Sequence, residues 1–86
     1  MIEVKRKSEQ KFVVTIKERG IETEHVVTLD DEYYQHLTDG EMTREELIEM
    51  SFKFLLEREP KESILSRFNL KVINSYFPEF EKKTRR

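Results

Sequence analysis

Residues 43 to 80, TREELIEMSFKFLLEREPKESILSRFNLKVINSYFPEF, hold about half of the chain's apolar side chains, spaced for helices. Thr43 and Glu46 have capping-box spacing: the threonine hydroxyl accepts from a backbone N–H and the glutamate reaches back to the threonine amide, so a long helix starts here. At ~100° per residue, Leu47, Ile48, Met50, Phe52, Phe54, Leu55 and Leu56 cover an arc of about 240°, leaving Glu46, Glu49, Lys53 and Glu57 on the remainder. So wide an arc predicts cover on two sides, by a hairpin and the following helices, or by those and a second copy of the chain. Glu49 and Lys53 stand in the favourable i,i+4 order on the solvated ridge.

Pro60 ends that helix, because the residue before a proline avoids the α region, and its ring suits the first turn of a new helix through Ile64, Leu65 and Phe68. Asn69 is a natural cap. Leu70, Ile73 and Phe77 then recur at i, i+3 and i+7, with Val72 and Tyr76 widening the stripe until Pro78 stops it. Glu79 to Arg86 is expected as a charged, frayed tail, giving one domain over residues 1–80 and a tail over 81–86.

Upstream the period changes to two. Phe12, Val14 and Ile16 alternate with Val13, Thr15 and Lys17, and Glu22 to Leu29 resumes a β-branched pattern after Glu18-Arg19-Gly20, which predicts a β-hairpin turning at the glycine. Ile2 to Lys5 is a candidate third strand. Asp30 and Asp31 offer an N-cap to a two-turn helix through Tyr33, Tyr34 and Leu37, stopped by Gly40. The expected fold class is therefore α+β: an antiparallel hairpin, with or without a third strand, packed on a long helix with two or three short helices closing the other side.

Composition sets the outer bounds. A chain of 86 residues is one domain with a thin stability margin, which a homodimer would relieve. No cysteine is present, so disulfides, thiolate zinc sites and cysteine nucleophiles are excluded. Neither a secretory apolar run nor the ~20 apolar residues of a membrane span is present; the cytoplasm is the expected compartment and membrane insertion is not expected. Net charge is −2, but residues 1 to 20 carry +3, 21 to 49 carry −9 and 50 to 86 carry +4. An acidic middle between basic ends argues against a chain built uniformly to neutralise phosphate, although folding can still gather both ends on one face.

No residue set nominates a catalytic centre. Gly20 and Gly40 lie in no phosphate-binding fingerprint, and no nucleophile is paired with a base by its spacing. Glu32 and His36 have ligand-like i,i+4 spacing, but a zinc site needs three or four ligands, and both histidines, His25 and His36, read as ordinary surface residues. No cofactor, metal or small-molecule substrate is expected, and the chain reads as non-enzymatic.

The order strand, short helix, turn, long helix over Val26 to Glu57 resembles a ribbon-helix-helix repressor subunit. That resemblance implies a two-stranded ribbon shared between subunits and read into the major groove. Glu24, Val26 and Thr28 on one side, and His25, Val27 and Leu29 on the other, offer little base-reading chemistry, and the preceding strand would occupy the edge needed for pairing. Ile64 to Phe77 is similar to a helix-turn-helix, with Phe68-Asn69-Leu70 as the turn. Arg67, Lys71 and Asn74, with Lys82, Lys83, Arg85 and Arg86, are its nucleic-acid candidates. Read together, LLEREPKESIL (Leu55 to Leu65), Phe68, Leu70, Ile73 and YFPEF (Tyr76 to Phe80) resemble a group of short uncharacterised prokaryotic proteins. The resemblance carries neither a function nor site residues.

The leading expectation is a small protein-interaction or regulatory module, binding another protein or itself, with a nucleic-acid-binding regulator as the alternative. Arg58 lies near the centre of the apolar arc at the helix C-terminus, where a cation suits the dipole and can pair with Glu62 to fix the angle between two helices. Tyr76, Phe77 and Phe80 are expected as exposed rings beside that junction, so that Arg58, Glu62 and the three aromatics form the partner-binding patch.

Overall fold

The computed structural model describes residues 1–84; Arg85 and Arg86, counted above among the basic candidates, lie outside them. The fold is α+β. Three antiparallel strands, β1 (Ile2–Arg6), β2 (Lys11–Glu18) and β3 (Ile21–Thr28), are followed by helices α1 (Asp31–Thr38) and α2 (Arg44–Leu56) and a 3-10 turn (Lys61–Ser63). A short strand β4 (Arg67–Asn69) and two one-turn helices, α3 (Val72–Tyr76) and α4 (Phe80–Thr84), complete it. The strands lie in the order β1-β2-β3-β4, with β4 parallel to β3.

Arg19 (φ 51°) and Gly20 (φ 78°) both take left-handed geometry, as a two-residue hairpin loop requires, and this sets Glu18 opposite Ile21. From that register Phe12 lies opposite Val27 and Val14 opposite His25, so these side chains share one face with Ile16 and are buried. On the opposite face Glu3, Thr15, Lys17, Glu22, Glu24 and Thr28 remain half-buried or exposed, and among the described residues no helix buries them.

Helix α2 opens with the expected box: Thr43 accepts from the Glu46 amide at 3.0 Å, and the Glu46 carboxylate accepts from the Thr43 amide at 2.8 Å. Its wide apolar arc is covered on two sides by the same chain. Toward the sheet, the Phe52 ring meets His25 at 5.6 Å and Phe68 at 5.9 Å; on the other flank Phe54 meets Phe77 at 6.0 Å and Phe80 at 5.2 Å. The Tyr34 hydroxyl donates to the Met42 carbonyl and ties the α1–α2 connection to α1. Among the described residues no helix is long and apolar enough to cross a membrane.

Two elements differ from the sequence reading. The helix expected through Ile64, Leu65 and Phe68 does not form: after the 3-10 turn Ile64 is extended (φ −74°, ψ 133°) and the chain enters β4. The physical reason is the open edge of β3. The Val26 amide donates to the Ser66 carbonyl and the Leu70 amide to the Thr28 carbonyl, both at 2.8 Å, so the segment satisfies its backbone on the sheet rather than within a helix. This strand where a first helix was needed also removes the helix-turn-helix arrangement. Both edges of β3 are paired, by β2 and β4, so this strand has no edge for an intersubunit ribbon of the repressor kind.

The second difference is the carboxy-terminal segment. Rather than a frayed tail, residues 80–84 form α4, with Phe80 fully buried and Thr84 buried behind it. Asn74 Oδ1 accepts from the Glu81 amide at 3.1 Å, and the Tyr33 hydroxyl donates to the Glu81 carboxylate at 3.1 Å, fastening the helix to α3 and α1. Burial first, and then Glu81, raise the Tyr33 phenol's pKa above its ordinary value.

Candidate functional site

Where α2 ends, the chain builds an open apolar groove of about 230 Å³. Its floor is the buried set Leu55, Ile64 and Ile73, and Phe68, Val72 and Phe77 form half-buried walls. Leu65 and Tyr76 stand on the rim, 48 % and 67 % exposed. Glu59 and Ser63 supply its polar side chains, and Glu59, half-buried, has no ion-pair partner among the described residues. The groove thus combines one exposed ring and one exposed aliphatic side chain with a carboxylate that has no ion pair among the described residues.

The wall carrying Leu65 is held from both ends. Pro60 starts the 3-10 turn, and Lys61, buried beside it, reaches Glu62 at 3.1 Å and Glu18 of β2 at 3.4 Å. The hydrogen bond to Glu62, reinforced by Glu18, raises the Lys61 pKa against the opposing effect of desolvation. The Glu62 carboxyl is lowered by its backbone hydrogen bond first and by Lys61 second.

At the other end His25, 3 % exposed, places Nδ1 2.8 Å from the Leu65 carbonyl and Nε2 3.0 Å from Thr23 Oγ1. A carbonyl only accepts, so Nδ1 carries the proton and donates to Leu65. His25 is therefore not the surface residue its sequence context suggested, but a clamp between β3 and the groove wall. A wall pinned in this way loses little further freedom when something binds against it.

The sequence-derived candidates fall in different places. Tyr76 and Phe77 line the groove, but Phe80 does not: it is buried against Phe54. Arg58 does not meet Glu62. Its guanidinium lies 3.5 Å over the Phe54 ring, donates to the Phe54 carbonyl at 3.1 Å and pairs with Glu79 at 3.1 Å, while Glu62 pairs with Lys61. The cause is the missing helix: residues 61–66 turn into the sheet, and the guanidinium finds its carboxylates in the adjacent Glu57, at 3.4 Å, and in Glu79, just before α4. The Glu79 pKa is lowered by its own backbone amide first and by Arg58 second.

The described basic candidates are interleaved with acids. Arg67 is exposed at the start of β4, Asn74 is engaged by Glu81, and Lys82 and Lys83 are exposed on α4. Lys71 pairs with Asp30 at 3.6 Å on a shallow cleft of about 740 Å³ that Asp31, Glu32 and His36 also line. His36 is exposed, with Nε2 4.0 Å from Glu81, and no group of three or more potential metal ligands gathers among the described residues.

Glu59, Leu65, Phe68 and Val72 line the groove but were not among the partner-binding residues expected from sequence, where the last three were assigned to helices. The usable signal was Ile64-Leu65: in an extended segment adjacent side chains point to opposite faces, which puts one inside and the other in solvent. Compared with known proteins, the chain matches no family model, no curated protein and no solved structure.

Proposed function

We propose that this protein is a non-enzymatic protein-interaction module that docks a short apolar segment of a partner, bearing a lysine or arginine beside its anchor, in the groove between the end of α2, β4 and α3. The observation that carries this reading is the groove itself: Leu65 and Tyr76 project into solvent above an apolar floor, and the wall that carries Leu65 is clamped. An aromatic and an aliphatic side chain on a rigid rim are typical anchor chemistry. Glu59 gives the site its charge preference, because a half-buried carboxylate with no ion pair among the described residues is best satisfied by a cation brought in with the ligand. Of the patch expected from sequence, Tyr76 and Phe77 are retained; Arg58, Glu62 and Phe80 serve the fold around it.

Selection from a displayed random-peptide library, followed by titration of the selected peptide into isotope-labelled protein, tests the proposal. Enriched peptides should pair an apolar anchor with a basic residue and shift the amides of Leu65, Phe68, Val72 and Tyr76. Leu65→Glu should abolish that binding, and Glu59→Gln should weaken it while removing the basic preference. Failure to enrich any peptide, or shifts clustered on the open sheet face, would overturn the reading.

A further inference from the structure

The free edge of β1 is complementary to itself. Lys17 donates its amide to the Met1 carbonyl and Lys7 donates to the Lys11 carbonyl, so alternate residues Met1, Glu3, Lys5 and Lys7 turn their backbone groups toward β2. The amides and carbonyls of Ile2, Val4 and Arg6 therefore point away from the sheet, and no hydrogen bond reaches them among the described residues. On the open sheet face, Glu22, Lys17 and Glu3 form an alternating row, with Lys17 3.8 Å from each carboxylate, and the row ends at the β1 edge on Glu3. Lys5, exposed on the same face, has no ion pair among the described residues.

We infer that β1 pairs antiparallel with β1 of a second copy of this chain, about a two-fold axis at Val4, to join two four-stranded sheets into one. Only a register that matches outward groups with outward groups is allowed, which limits the axis to a few positions. Centring it on Glu3 or Lys5 sets like charges directly opposite. Centring it on Val4 faces Glu3 with Lys5 of the second copy, twice, and extends each charge row by one cation. Val4 then exchanges both hydrogen bonds with its counterpart, and Ile2 does so with Arg6 of the second copy. The half-buried Ile2 and Val4 gain apolar neighbours along the seam. The contact is isologous and closes at two chains, and it leaves the peptide groove, at the β4 end of the sheet, unoccupied.

Sedimentation velocity on the full chain over a concentration series tests this, using Lys5→Glu, Glu3→Lys and their equimolar mixture. The wild type should show a concentration-dependent monomer–dimer equilibrium. Each variant faces like charges across both pairs and should dimerise about tenfold more weakly. In the mixture, the two carboxylates that Lys5→Glu carries on β1 meet the two lysines of Glu3→Lys, so hetero-association should recover. A wild type that stays monomeric throughout, a dimer equally strong in both variants, or a mixture no stronger than either component would overturn the proposal. Equal strength would place the contact elsewhere, the groove included.

Discussion

Replacing Phe80 with alanine tests whether the segment after Pro78 belongs to the core. The ring is fully buried and stands edge-on to Phe54 at 5.2 Å. Removing such a side chain costs about 3–5 kcal/mol through lost transfer energy and the cavity left behind. Domains of this size have about 5 to 13 kcal/mol in hand, and each kcal/mol moves the midpoint by roughly 4–8 °C, so Tm should fall by roughly 12 to 40 °C. Phe80→Leu, which refills much of the space, should cost about 1.5 kcal/mol or less. Lys83→Ala, exposed on the same helix, should change stability by under about 0.5 kcal/mol. Urea unfolding followed by circular dichroism measures all three. If Phe80→Ala loses no more than Lys83→Ala, α4 is an appendage and the two-sided cover of α2 fails on that flank.

Three further outcomes follow from the clamps around the site. His25→Ala removes the donor to the Leu65 carbonyl and the ring against Phe52, and should cost about 2–4 kcal/mol in urea unfolding, with faster amide exchange at Val26, whose donor bond to Ser66 lies alongside. Arg58→Ala should destabilise more than Glu79→Gln, because it also loses the stack on Phe54 and the bond to the Phe54 carbonyl; a double-mutant cycle should leave a coupling smaller than the Arg58→Ala loss. Acid should weaken the fold through Glu79 and Glu62: both have lowered folded-state pKa values, so their contribution is present above the ordinary glutamate value of 4.5 and is lost as pH falls through the lowered values. Glu79→Gln should make the acid limb of a stability–pH curve shallower.

Legibility followed locality. The capping box, the hairpin and the wide arc of α2 depend on residues within one or two turns of each other, and the structure contains all three. Ile64 and Phe68 share i,i+4 spacing, which reads as helix, yet they sit in extended backbone because a vacant edge of β3, distant in sequence, takes up their segment's hydrogen bonds. The groups His25 packs against, the Leu65 carbonyl and the Phe52 ring, are equally distant in sequence, and nothing in Glu24-His25-Val26 beyond the strand pattern points to them. Phe80 was misplaced for a related reason. Five charged residues follow Glu79, and the charge density hid a single ring whose partner, Phe54, lies on another helix. Of the partner patch, Tyr76 and Phe77 were visible as aromatics near a junction, whereas Leu65 becomes exposed only once its neighbour Ile64 is turned inward.

The groove follows from how α2 is covered. Its apolar girth requires two layers, and the sheet supplies one along the helix's length. The second must come from residues 64–84, but Pro78 restricts α3 to Val72–Tyr76, and the chain then uses Phe80 to close the flank at Phe54. Between these two points of cover, the end of α2 at Leu55 is left under β4 on one side and a one-turn helix on the other, a gap that the short α3 is unable to span. Filling it with a longer α3 would demand the removal of Pro78 and the release of Phe80 from its buried position. The opening beside Leu65 and Tyr76 is thus a consequence of the same packing that secures α4, and a stable fold and an unfilled apolar groove arise from one arrangement of the chain.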